Sequence, residues 1–194
     1  MSWYHNKKYI SFNDFFTRHR IRLFENADAD TLVAPCDGYL SVYDITKDLK
    51  FSVKHVEYDL EALLQNKHLA EKYMGGYCLV FRLAPHNYHR YIYIDDGIIR
   101  SRKRIDGVLH CVRPEICGRL PVYVMNTREY SLIETEHFGE IIQMEVGALL
   151  VGRIRNNSFH SRICRYMEKG YFEFGGSTII MLFEKTKFCP IPKY

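Results

Sequence analysis

Glu173-Phe174-Gly175-Gly176-Ser177-Thr178-Ile179-Ile180-Met181-Leu182-Phe183 is an apolar, strand-like run interrupted near its start by two glycines. Glycines inside a strand mark a bulge or a place where another backbone comes close. Outward from this stretch, similar short runs recur: Thr31 to Ile45, broken at Asp37-Gly38, then Tyr77 to Leu83, His89 to Ile94, Ile98 to Arg104 and Val108 to Val112. Others cover Leu120 to Met125, Tyr130 to Glu134, Glu140 to Ile154, Ser161 to Met167 and Tyr171 to Glu184. Turn residues separate them, and Asp96-Gly97 and Asp106-Gly107 suit tight hairpins because both residue types tolerate positive φ. The pattern predicts a mainly β (α+β) fold, an antiparallel β barrel or sandwich with a few covering helices.

Two segments read as helices. Ser11 to Phe24 offers Ser11 or Asn13 as a cap, with Phe12, Phe15, Phe16 and Ile21 near helical spacing and Arg18, Arg20 and Arg22 between them. Such a mixture suits a helix that covers the open end of a core, and equally one that lies on an anionic bilayer. In Asp59 to Tyr73, Leu60, Leu63, Leu64 and His68 recur at helical spacing.

The chain has 194 residues, 47% of them hydrophobic, enough for one sizeable core and a single domain over 1–194. Its net charge of +4 is too small to imply nucleic-acid binding, yet its sign suits anionic lipid headgroups. The six cysteines are scattered, with no Cys-x-x-Cys pair or zinc-type spacing, so reduced thiols and no metal are expected. The polar start, Met-Ser-Trp-Tyr-His-Asn-Lys-Lys, is not followed by the apolar run of a signal peptide. Runs such as Ile179 to Phe183 fall far short of the ~20 residues of a membrane helix. A cytoplasmic protein is expected, with any membrane contact peripheral and on the inner face of the cell membrane.

Five ordered blocks carry a more specific signal. They are Ser11 to Arg18, Val33-Ala34-Pro35-Cys36-Asp37-Gly38, Leu83-Ala84-Pro85-His86-Asn87-Tyr88-His89-Arg90, Val146 to Gly152, and Glu168 to Thr178 with its Gly-Ser-Thr. Together they resemble the phosphatidylserine decarboxylase family over roughly residues 11 to 185. The resemblance implies self-cleavage between Gly176 and Ser177 into a β chain, 1–176, and an α chain, 177–194. Ser177 then becomes a pyruvoyl cofactor, an electron sink for decarboxylation of phosphatidylserine to phosphatidylethanolamine. The implied partners are that lipid and an anionic membrane surface, and a homodimer is left open.

The chemistry accounts for these residue types. Attack of the Ser177 hydroxyl on the Gly176 carbonyl needs an accessible carbonyl, which glycine provides, and a base for the hydroxyl proton, best held by a carboxylate. By resemblance the catalytic residues are Ser177, Asp37 and His89, with His89 first in line to protonate the substrate carbanion. The family commonly has a second His three residues after the first, where this chain has Ile92, and Asn87 stands where Asp is usual. A bulge re-aiming His89, a replacement base at His110, or Asp37 with water are the options for that missing imidazole. Two other readings stand beside the lipid enzyme: a pyruvoyl decarboxylase of a soluble amino acid, and a non-cleaving binding protein of the same fold.

Overall fold

The computed structural model of the chain describes residues 8–20, 27–149, 153–157, 161–174 and 177–188, with the backbone alone at Ser177. The first elements in chain order are α1 (Phe12–Phe16), β1 (Tyr39–Asp44), β2 (Lys50–Val53), β3 (Val56–Asp59), α2 (Leu60–Leu64), α3 (Lys67–Glu71) and β4 (Tyr77–Leu83). There follow β5 (Arg90–Ile92), β6 (Gly97–Ile105), α4 (Pro114–Cys117), α5 (Val122–Met125), β7 (Arg128–Thr135) and β8 (Glu140–Val146). The last are β9 (Ile154–Asn156), β10 (Arg162–Ile163), β11 (Glu168–Phe172) and β12 (Ser177–Phe183). Among the described residues β1, β4, β12, β8, β7, β6 and β10 lie side by side, in that order, in a seven-stranded sheet. A three-stranded sheet, β5-β11-β9, and the ribbon β2-β3 complete the β structure.

β12 decides the layering because it is buried on both faces. Alternate residues of a strand point to opposite sides. Ile180 and Leu182 pack with Leu60, Leu63 and Leu64 of α2, with Phe51 and Tyr58 of the ribbon, and with Tyr123 of α5. Ile179, Met181 and Phe183 pack instead with Tyr91, Ile154 and Phe172 of the three-stranded sheet. The antiparallel sandwich with covering helices is thus found, but not a closed barrel: β1 and β10 stand at opposite ends of the strand order and do not pair. Separate layers already cover both faces of the sheet, so its apolar surface is buried without closure.

Local chemistry explains several departures from the expected elements. Asp59 to Tyr73 forms two helices rather than one, because Gln65 takes a left-handed conformation at φ 47° and Asn66 opens a new turn by accepting from the Leu69 amide. Leu120 to Met125 is a short helix, α5, instead of a strand. From Val108 to Val112 the chain makes one bridge, Val108 to Asn126, and the Asn126 side chain ties down His110 through its amide and carbonyl. Asp96-Gly97 and Asp106-Gly107 are corners and not hairpin turns, since β5 and β6 belong to different sheets and β6 pairs with β7. The ribbon β2-β3, unforeseen, turns at Lys54 with φ 57°. The helix expected from Ser11 to Phe24 ends at Phe16, and residues 21–26 lie outside the described part.

Candidate active site

The head of β12 is held from both sides. Ser177 is in register with Leu83 of β4, and Thr178 lies between Arg82 of β4 and Val146 of β8. Gly175 and Gly176 lie outside the described residues. Before them, the amide of Phe174 donates to Asn13 Oδ1 at 3.2 Å, and its ring meets Phe12 and Phe16 of α1 at 4.5 and 5.3 Å. α1 starts at Ser11, whose hydroxyl accepts from the Asp14 amide, and its last residue, Phe16, is buried. The covering role expected of this segment is therefore realised, with α1 packed on Phe174.

Phe16 also covers His89, ring centroid to ring centroid at 4.0 Å. His89 is 1% exposed and sits just before β5, its carbonyl accepting from the Phe172 amide. Its Nδ1 lies 2.9 Å from the Asn87 carbonyl oxygen. A carbonyl only accepts, so Nδ1 carries the proton and Nε2 is left with its lone pair. Nε2 is buried and has no hydrogen-bond partner among the described residues. Burial drives the imidazole pKa down to about 4 against the opposing pull of the Asn87 bond, so the ring is neutral at pH 7.

Asp37 approaches the same segment from the loop before β1. Its Oδ2 accepts from the Tyr88 amide and from Arg20 Nη2, both at 3.3 Å. Gly38 follows with φ +148°, and a Cβ there would stand 2.8 Å from the Arg82 carbonyl oxygen, so glycine is what lets this loop lie against β4. No hydrogen bond joins Asp37 to His89 among the described residues; the Asn87 carbonyl occupies the imidazole's protonated nitrogen. At Ile92 the amide donates to the Pro35 carbonyl and the carbonyl accepts from Gln143 Nε2, so its backbone ties the Asp37 loop to the main sheet. The His110 carbonyl accepts from the Leu149 amide, in the turn after β8.

The bulge that the sequence left open is present, but on the strand facing β5. Glu168 pairs with Ile92 and Gly170 with Tyr91, leaving Lys169 as the extra residue. Lys169 is thereby turned inward, where its Nζ meets Glu145 Oε2 at 2.5 Å with both side chains fully buried. Asn156 bonds both Glu145 and Lys169. Burial disfavours both charges, raising the Glu145 pKa and lowering that of Lys169, and the mutual attraction opposes each shift.

Two arginines, Arg90 of the Tyr-His-Arg block and Arg20 just past the first block, hold the segment together. Arg90 donates through Nε and Nη2 to the Thr17 carbonyl, at 2.8 and 2.6 Å, and through Nη1 to Glu168 at 2.8 Å. It fastens the end of α1 over His89. Arg20 is an internal partner of Asp37, with its guanidinium 4.8 Å over the Tyr88 ring, rather than one of three free basic side chains. Arg22 lies outside the described residues. No group of three potential metal ligands occurs among the described residues.

A family model described as phosphatidylserine decarboxylase matches residues 12–192. The chain belongs to that family. It is similar to phosphatidylserine decarboxylase proenzyme 2 of Clostridium acetobutylicum, 47% identical over 188 residues that cover 95% of this chain and 64% of the relative. It is 44% identical to the proenzyme of Clostridium novyi, over 91% of this chain and 62% of that one. Against the proenzyme of Desulfitobacterium hafniense strain Y51 the identity is 40%, over 93% and 62%. The family member described here thus spans a little under two thirds of the length of these curated relatives.

Proposed function

We propose that the chain cleaves itself between Gly176 and Ser177 and then decarboxylates phosphatidylserine to phosphatidylethanolamine. The observation that carries this reading is the buried, neutral His89, its Nε2 without a hydrogen-bond partner among the described residues, closed under Phe16, which also meets Phe174, three residues ahead of Ser177. In the cleavage, the Ser177 oxygen bonds to the Gly176 carbonyl carbon as the C–N bond breaks, and a base receives the hydroxyl proton. Loss of the Ser177 α-proton then expels the Gly176 carboxylate. Hydrolysis consumes one water, releases ammonia and leaves a pyruvoyl group at position 177. His89 Nε2 is suited to accept these protons because it is unprotonated at neutral pH.

The surroundings fit such a group. After cleavage, residues 177–183 stay paired with β4 and residues 178–182 with β8, so the short α chain remains locked in the core. A pyruvoyl group there supplies the electron sink on which an amino acid carboxylate leaves as carbon dioxide. His89 Nε2 then returns a proton to the substrate carbon, while Phe16, buried over the imidazole, keeps water away.

This reading makes the protein a peripheral one at the inner face of the cell membrane. Ile10, Phe12, Phe15, Phe174 and Leu149 are exposed apolar residues, and Arg18 lies over the Phe15 ring. Such a mixture suits adsorption to an anionic surface. No helix among the described residues is long and apolar enough to cross a membrane.

The test is the intact mass of the purified chain under denaturing conditions, before and after borohydride. Two fragments parting at 176/177, the smaller one gaining a hydrogen pair on reduction, are expected, together with carbon dioxide release from phosphatidylserine vesicles. A single uncleaved chain would make this a binding protein of the same fold, and turnover of free serine alone would make the substrate a soluble one.

A further inference from the structure

Beside the head of β12 lies a cavity of about 450 Å3. Its walls include Leu83, the register partner of Ser177, and Phe174, three residues ahead of Ser177, together with Val112, Ala148 and Leu149. Two arginines, Arg82 and Arg113, also line it. Arg82 is held over the Tyr39 ring at 4.7 Å, and Arg113 is exposed. Neither has a carboxylate partner among the described residues, whereas Arg90, Arg100, Arg104 and Arg155 each do.

A small apolar chamber bordered by unneutralised cations is the complement of an amphiphile whose anionic group adjoins its hydrocarbon. Its volume is in the range of pockets that hold small ligands, about 300–1,000 Å3. Guanidinium is the side chain best matched to phosphate oxygens, by charge and by its planar set of donors. In a serine phospholipid the phosphate is esterified to the serine side-chain oxygen. With the seryl amine at position 177, it must sit within one short side chain of the strand that carries Arg82 and Leu83.

We infer that this cavity is the lipid-selecting subsite of the decarboxylase, an inference that rests on the function proposed above. Arg82 and Arg113 hold the phosphodiester, and Val112, Ala148, Leu149 and Phe174 receive the glycerol and the first methylenes of the acyl chains. Selection of a diacyl lipid over free serine then resides in these residues and not in His89 or Asp37.

The test uses the full chain carrying Ser177→Ala, which has no hydroxyl to start cleavage, so binding is read by calorimetry without turnover. The probes are dihexanoyl phosphatidylserine below its micellar concentration, glycerophosphoserine, inorganic phosphate and free serine. The short-chain lipid should bind most tightly, glycerophosphoserine more weakly, and phosphate and serine not measurably. Arg82→Ala with Arg113→Ala should weaken both phosphodiesters about ten- to hundredfold, the range for charge-assisted bonds. Arg113→Ala alone, at an exposed position, should give part of that loss with an unchanged melting temperature. Val112→Trp, which fills the chamber, should abolish the advantage of the lipid over glycerophosphoserine. Equal lipid affinity in the parent and the arginine variants, or serine or phosphate binding as tightly as the lipid, overturns the inference. Cleavage and turnover by the chain with Ser177 intact are measured alongside. If they occur while the arginine variants bind normally, the subsite alone falls; if they do not occur while binding follows prediction, the decarboxylase reading falls and the lipid site stands.

Discussion

His89 shows how a single residue can be singled out in a sequence while its protonation state is not. The Tyr-His-Arg block singles it out, but the protonated nitrogen is selected by the Asn87 carbonyl and the lowered pKa by burial under Phe16. The folded pKa, about 4, lies below the ordinary 6.5. Between those values the unfolded chain therefore binds more protons than the folded one, and stability rises with pH. The contribution is complete above about pH 6.5 and is lost as pH falls toward 4; at one kcal-scale step of 1.36 per unit it amounts to about 3 kcal/mol at most. Urea unfolding of the Ser177→Ala chain between pH 4 and 7 should show this rise, and adding His89→Gln should flatten it. Parallel profiles for the two would mean that the imidazole is not held neutral by burial. Arg20 belongs to the same lesson: its neighbours in sequence suggest a basic surface, and its contact with Asp37 removes it from that surface.

At the scale of elements, α1 is a helix of five residues, too short to persist on its own. What keeps it in place is Arg90, whose side chain is 9% exposed and bonds the Thr17 carbonyl twice. Arg90→Ala should release α1 from His89, with destabilisation of about 3 kcal/mol, since Glu168 loses a close cation. Faster hydrogen exchange confined to residues 12–17 and slower cleavage at 176/177 are the expected readouts, with partial rescue by Arg90→Lys. Unchanged exchange there would mean that the aromatic contacts of Phe12 and Phe16 hold the helix unaided. The element boundaries misread from sequence have two origins. Gln65 in Asp59 to Tyr73 breaks a helix that the leucine spacing supports, and α5 takes a helical turn in a segment whose valines favour a strand. At Gln65 the Asn66 cap starts a new helix, whereas Val122 and Tyr123 of α5 are buried in the core cluster that β12 shares, where burial outweighs strand propensity.

For the whole molecule, a polar link runs through the core: the buried Glu145–Lys169 pair connects the seven-stranded sheet to the three-stranded one. Removing one partner leaves a buried charge unmatched, and replacing both by apolar residues of similar size does not. Lys169→Met should lower stability by about 3–5 kcal/mol, and Lys169→Met with Glu145→Leu should recover much of the loss. Thermal unfolding checks this, and additive losses in the double variant would show that the pair is not coupled. The sequence by itself determined the strand-rich class, the glycine pair before Ser177 and the block order that marks the family, because alternation, turn chemistry and motif order are local properties of a chain. Only the tertiary structure decided which imidazole nitrogen carries the proton, that Arg20 turns inward, and that a bulge opposite β5 aims Lys169 at Glu145. Those outcomes depend on burial and on contacts between distant residues, such as Arg90 and Thr17, 73 positions apart, which no local pattern encodes.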